Sequence, residues 1–152
     1  MEVIITLRLD NDGFVRRACP NCGEEFKWHS GPANQEAERH ERPANYYCPM
    51  CGRPAGPDSW WTEQQLEYIQ AMQQAAAMRM LNDGLDDVFK GMKSKYVTVK
   101  RTGRLSEPDE PVAPVEPDDM AAIASPCHAY APVKGPEGAR GRFYGLVCGA
   151  AF

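Results

Sequence analysis

No stretch of this 152-residue chain is apolar over the roughly 20 residues needed to span a bilayer, and none reads as an export signal. The opening residues, MEVIITLRLDNDG, place an acid second, follow it with a short apolar run and turn charged again at Arg8. Aromatic residues are only 9% of the chain, while thirteen prolines and thirteen glycines interrupt it, so one large hydrophobic core is excluded. Positive charge is not in excess. A net charge of −4 argues against wholesale nucleic-acid binding, although not against a local basic patch. The chain also has no Ser/His/Asp order, no Gly-rich phosphate loop and no pair of carboxylates on a helical face that would mark an enzyme. Asp86-Asp87 reads as a solvated face of a helix, and His29 and His40 as solvent-exposed histidines. No small-molecule substrate is evident.

What the chain does have is cysteine. There are six, and without an export signal they point to a reducing, cytoplasmic setting and to metal binding rather than disulfides. Cys19-Pro20-Asn21-Cys22-Gly23 and Cys48-Pro49-Met50-Cys51-Gly52 are two copies of one device. Two residues between the cysteines let both thiolates point at one ion, while turn N–H groups bond to the sulfurs. The trailing glycine supplies the positive φ on which the chain folds back. Two such knuckles predict a structural metal site at Cys19, Cys22, Cys48 and Cys51. A redox Cys-x-x-Cys pair would occur once and open a helix; neither Glu24-Glu25-Phe26-Lys27 nor Arg53-Pro54-Ala55-Gly56 does so.

These motifs resemble zinc ribbons of the rubredoxin-like kind, over residues 1–57 and, in degraded form, 124–152. The chain looks similar to small bacterial zinc-ribbon proteins of unassigned function that carry a ribbon, a helix and a second ribbon-like tail. The resemblance implies bound Zn2+ and no particular activity. Four thiolates accept iron as well, which would imply rubredoxin-like electron transfer. Zinc is favoured because the surroundings lack a compact, aromatic, acidic electron-transfer domain.

The expected fold is a small metal-stabilised α+β protein. Val3, Ile5, Leu7 and Leu9 alternate with Ile4, Thr6 and Arg8, which predicts a strand over 3–9. Asp10-Asn11-Asp12-Gly13 then predicts a turn, and Phe14–Ala18 a returning strand that runs into the first knuckle. Phe26 and Trp28 would cover the metal, residues 30–45 would form a polar surface excursion, and Tyr46-Tyr47 a short strand. With Ser59 or Thr62 as N-cap, a helix would begin in Asp58–Glu63 and continue through Gln64 to about Leu81, its apolar stripe being Leu66, Ile69, Met72, Ala76 and Met80. Asn82-Asp83-Gly84 predicts a break before a second short helix over 85–92. Residues 95–100 predict a short strand.

Residues 90–104 hold six bases and no acid; residues 106–119 hold six acids, four prolines and no base. The latter predicts a self-repelling, poorly ordered linker. The expected organisation is therefore a zinc ribbon over 1–57, a helical segment over 58–93 and a basic strand or loop over 94–105. The linker, 106–119, would then join a second, degenerate ribbon-like module over 120–152.

In that last piece, Phe143-Tyr144-Gly145-Leu146-Val147-Cys148-Gly149 is a knuckle with glycine where its first cysteine would stand. Cys127, His128 and Cys148 are then three ligands, one short of a closed tetrahedral site. Two readings stay open: a ribbon that folds without metal, or a second zinc site with a fourth ligand from elsewhere.

A four-thiolate site has no open coordination position, which points to a non-catalytic binding module. Its partner would be a protein, or a second copy of the chain, engaged by the helix over 62–92. The alternative is nucleic acid, held by Arg16, Arg17, Lys95, Lys100, Arg101 and Arg104.

Overall fold

Phe14–Ala18 forms β1 and Glu25–His29 forms β2, an antiparallel pair whose connection is the first knuckle, in a computed structural model that describes residues 2–152. The turn before β1 is held by Asp10, whose Oδ1 accepts hydrogen bonds from the N–H groups of Asp12 (3.0 Å) and Phe14 (2.9 Å). The strand expected over 3–9 is absent. Val3, Ile5 and Leu7 are half-buried and alternate with exposed Ile4, Thr6 and Arg8, but the segment pairs with no strand among the described residues, and β1 takes its partner from the other side of the knuckle.

The rest of this sheet comes from the C-terminal end of the chain. Met120–Ile123 (β5) and Val133–Pro136 (β6) extend it in the order β1-β2-β6-β5, all antiparallel, with Lys27 opposite Lys134 and Trp28 opposite Val133. The separate second module expected over 120–152 is thus corrected: its β6 pairs directly with the N-terminal ribbon. Val133 and Leu146 complete the core that Cys19, Phe26, Cys48 and Trp60 begin, and Trp28 packs against it. Phe26 and Trp60 meet edge to face at 5.7 Å. The ribbon alone is too thin to bury these rings, so the far end of the chain supplies the missing wall.

Between the knuckles lie Gln35–Glu38 (α1), capped by Asn34, and Tyr46–Tyr47 (β3); β3 pairs with Pro54–Ala55 (β4). Two compact units are present, Leu7–Gln65 with Pro114–Phe152, and a second that contains Leu66–Ala113.

The acidic segment also departs from expectation. Residues 114–119 belong to the ribbon unit, because their acids answer its buried bases. Lys27, wholly buried, reaches Glu116 (3.0 Å), Asp119 (3.2 Å), Asp10 (3.4 Å) and the carbonyl of Pro117. Arg16 pairs with Glu25, Glu116 and Asp119. Asp10 also holds Lys134 at 2.8 Å, so one buried carboxylate sits between two lysines that face each other across the sheet. Though its own burial opposes ionisation, the bonds from Lys134 and two backbone N–H groups bring the Asp10 carboxyl down to about 2.

Helix α2, Glu63–Gly91, begins at the edge of the ribbon unit with Thr62 as its cap. The Gln65 N–H donates to Thr62 Oγ1, and the Thr62 N–H donates to Gln65 Oε1, both at 3.1 Å. The break expected at Asn82-Asp83-Gly84 does not occur. Asn82 is fully buried and its side chain bonds the segment beyond the helix: Leu105 N–H (2.9 Å), Leu105 carbonyl (3.1 Å), Glu107 (2.6 Å) and Arg101 (2.5 Å). Those partners pull Asn82 out of its usual role as a helix terminator. Beyond α2 a Ser94–Val97 turn closed by a Lys93–Thr98 bridge replaces the strand expected over 95–100. Among the described residues, no helix is long and apolar enough to cross a membrane.

Candidate metal centres

Both knuckles fold by the same pair of backbone hydrogen bonds. In the first, Cys19 N–H donates to Glu24 O and Gly23 N–H to Cys19 O, both at 2.9 Å. In the second, Cys48 N–H donates to Arg53 O (3.0 Å) and Gly52 N–H to Cys48 O (2.8 Å). The two turns bring Cys19, Cys22, Cys48 and Cys51 together, with all four sulfurs within 4.8 Å of one another. Cys19 and Cys51 Sγ are 3.7 Å apart, and Cys22 and Cys48 Sγ 3.8 Å. A tetrahedral ion with metal–sulfur bonds of about 2.3 Å has sulfur–sulfur edges of about 3.8 Å, so the thiols already stand at the spacing of a tetrahedral tetrathiolate.

Electrostatics around the sulfurs follow from the turns. Cys19 Sγ accepts from the N–H groups of Asn21 (3.3 Å) and Cys22 (3.4 Å), and Cys48 Sγ from that of Met50 (3.3 Å). Burial works against the Cys19 thiolate, but these N–H groups outweigh it and hold the thiol below its ordinary value. Burial pushes the Cys48 and Cys22 thiols up. Loading a cation must therefore expel protons, and binding strengthens as pH rises. Cys19 and Cys48 are buried against Phe26 and Trp60, which ties the site to the core.

The second group, Cys127, His128 and Cys148, is also assembled within 4.8 Å. Cys127 and His128 lie on the loop between β5 and β6; Cys148 lies on the third turn. That turn is a true knuckle in its backbone: Gly145 N–H donates to Ala150 O (2.9 Å) and Gly149 N–H to Gly145 O (2.8 Å). It packs against the second knuckle in a reciprocal way. A Cβ on Gly149 (φ +69°) would strike the Tyr47 ring at 2.5 Å, and one on Gly52 (φ +74°) the Tyr144 ring at 2.7 Å. Each tyrosine stands just before one knuckle and covers the glycine that ends the other. Tyr47 N–H to Leu146 O (2.8 Å) and Tyr144 N–H to Pro49 O (3.0 Å) join the two. The Cys127 thiol, bonded to Cys148 Sγ at 3.2 Å and beside His128, is lowered to about 7. The His128 ring meets Tyr130 edge to face at 5.6 Å, and Tyr130 stacks on His40 at 3.9 Å.

The bases named for a nucleic-acid surface are mostly engaged. Arg16 is held by three carboxylates, Arg101 by Asp86 and Asn82, and Arg104 by Asp86, Asp83 and Glu107. Arg17 lies between the Trp28 and Trp61 rings, 4.8 Å from each centroid, and burial lowers it to about 10. It lines a cleft of about 460 Å³ with Trp28, His40, Arg42 and Tyr130. Lys95 and Lys100 are exposed. His29, expected in solvent, is half-buried against Phe14 at 5.4 Å. The burial of Lys27 and Lys134, and of Asp10 beyond its part in the turn, has no local signal in the sequence that distinguishes these residues from surface ones. Compared with protein-family models, with curated proteins and with solved structures, the chain matches none.

Proposed function

We propose that this chain is a non-catalytic zinc-binding protein of the cytoplasm, whose four-cysteine site is structural and whose surface serves protein interaction. The observation that carries the metal reading is the tetrahedral spacing of the Cys19, Cys22, Cys48 and Cys51 sulfurs, of which Cys19 and Cys48 are buried. These four residues would hold the ion and leave it no position for water or substrate, so the site supports the fold rather than chemistry. Zinc is the ion proposed; an iron-loaded protein, red in colour, would move the reading to electron transfer.

The interaction reading is supported by α2. Met80, Leu81, Leu85 and Val88 along its C-terminal half, and Met92 just beyond its end, expose between 36% and 59% of their surface, a run of apolar side chains that a partner could cover. Pairing of the basic run with carboxylates supports a protein partner over nucleic acid. The test is sedimentation of the zinc-loaded chain alone and with its captured partner, for the parent and for Leu85→Asp with Val88→Asp. Loss of the complex with zinc retained supports the reading. An unchanged complex, or one that dissolves with salt and contains nucleic acid, overturns it.

A further inference from the structure

The third knuckle lacks the first sulfur of the other two and has Leu146 where they have proline. Its backbone hydrogen bonds, Gly145 N–H to Ala150 O at 2.9 Å and Gly149 N–H to Gly145 O at 2.8 Å, repeat those of the Cys19 and Cys48 turns. Gly145 therefore stands at the position from which Cys19 and Cys48 each project their sulfur. A Cβ on Gly145 would lie 2.8 Å from Cys148 Sγ and 3.3 Å from Cys127 Sγ, so it would point at the ligand cluster and the Cys148 side chain would have to turn aside to admit it. The fold builds a cradle for four ligands and fills three.

The other donors are disposed for a cation. His128 Nδ1 is shut from solvent and has no hydrogen-bond partner, a costly state for a ring nitrogen unless something else satisfies it. Cys148 Sγ accepts the Ala150 N–H at 3.5 Å. Ser125 Oγ, 3.7 Å from Cys127 Sγ, is an oxygen on the same loop that could compete for the fourth position. Two thiolates and one imidazole with a free fourth position suit a divalent ion of zinc's class, in the donor set of a catalytic rather than a structural site.

We propose that Cys127, His128 and Cys148 form a second metal centre, held open at its fourth position by Gly145, where a small exogenous donor binds. Water fills the position by default. A borderline-soft ion prefers sulfur, so the ligand class is a low-molecular-weight thiol. The exchange balances simply: the thiol S–H gives its proton to solvent, and the thiolate replaces water on the metal with no change of oxidation state. The first site, closed by four thiolates, serves as an internal control.

The experiment is cobalt(II) loading of the full chain, reduced with a phosphine so that no thiol is added, followed by titration with 2-mercaptoethanol. The wild type is expected to take two cobalt ions per chain, the second changing its visible spectrum on thiol addition. Gly145→Cys supplies the missing sulfur; it should take two ions, hold the second at least tenfold more tightly, and show no response to thiol. Cys127→Ser with Cys148→Ser should take one ion and show no response. One cobalt in the reduced wild type, with the other two thiols free or joined as a disulfide, overturns the proposal and leaves the first site standing. Two ions with a wild-type spectrum as indifferent to thiol as that of Gly145→Cys overturn the open position. A thiol response that appears only in Ser125→Ala assigns the fourth ligand to Ser125 and does the same.

Discussion

At the first cluster two knuckles face each other, each bringing two sulfurs; at the second, one knuckle faces a loop and brings one sulfur. The backbones barely differ, since all three turns close with the same two hydrogen bonds at 2.8–3.0 Å. What differs is what the sulfurs are embedded in. At the first cluster Cys19 and Cys48 are part of the core with Phe26, Trp60 and Leu146 and only Cys22 is exposed, whereas at the second both Cys127 and Cys148 are exposed. A knuckle is thus a backbone device that survives loss of a ligand, and its role is set by the side chains around it. Burial makes the first site a support for the fold, and exposure with an empty ligand position makes the second available to ligands.

The largest break in that comparison should come from Cys48→Ser. It removes a buried ligand from a small core, and structural zinc contributes apparent free energies of roughly 10–16 kcal/mol in finger peptides. The ribbon should lose its near-ultraviolet circular dichroism and its capacity to hold a metal ion together. Asp10→Asn should come next, at about 3–5 kcal/mol by urea denaturation, because it leaves Lys27 and Lys134 buried beside a neutral amide. A variant as stable as the parent would mean that Glu116 and Asp119 suffice for Lys27, and Asp12 for Lys134. Gly149→Ala forces a side chain into a left-handed turn against Tyr47 and should cost about 1–3 kcal/mol in the same assay. A neutral effect would show that the reciprocal packing of the second and third knuckles is loose. Smallest is Cys148→Ser, expected within about 1 kcal/mol of the parent, with the first metal retained, since it alters an exposed ligand. Unfolding there would erase the distinction between the two clusters.

The local devices were legible in the sequence, and the long-range ones were not. The knuckles, the Asp10 turn, β1, β3 and the Thr62 cap each carry their cause within a few residues. The pairing of β6 with β2 joins Val133 to Trp28, and no local pattern announces such a partner. The same holds for the acidic segment: charge repulsion is visible in 106–119, while the buried Lys27 and Arg16 that reverse it lie about a hundred residues away. Asn82 reads as a helix terminator until Leu105 and Arg101 are placed beside it. The missing ligand at Gly145 was visible as a departure from the knuckle pattern, but only the backbone bonds show that the turn persists without it.

The central claim is that four thiolates and one ion hold the ribbon together. The most direct measurement is elemental analysis of the Cys127→Ser, Cys148→Ser protein, purified without added metal, followed by chelation under near-ultraviolet circular dichroism. The account predicts one zinc per chain, and loss of the tertiary signal as the chelator removes it. A metal-free protein, or one whose signal persists after the metal is gone, would contradict it.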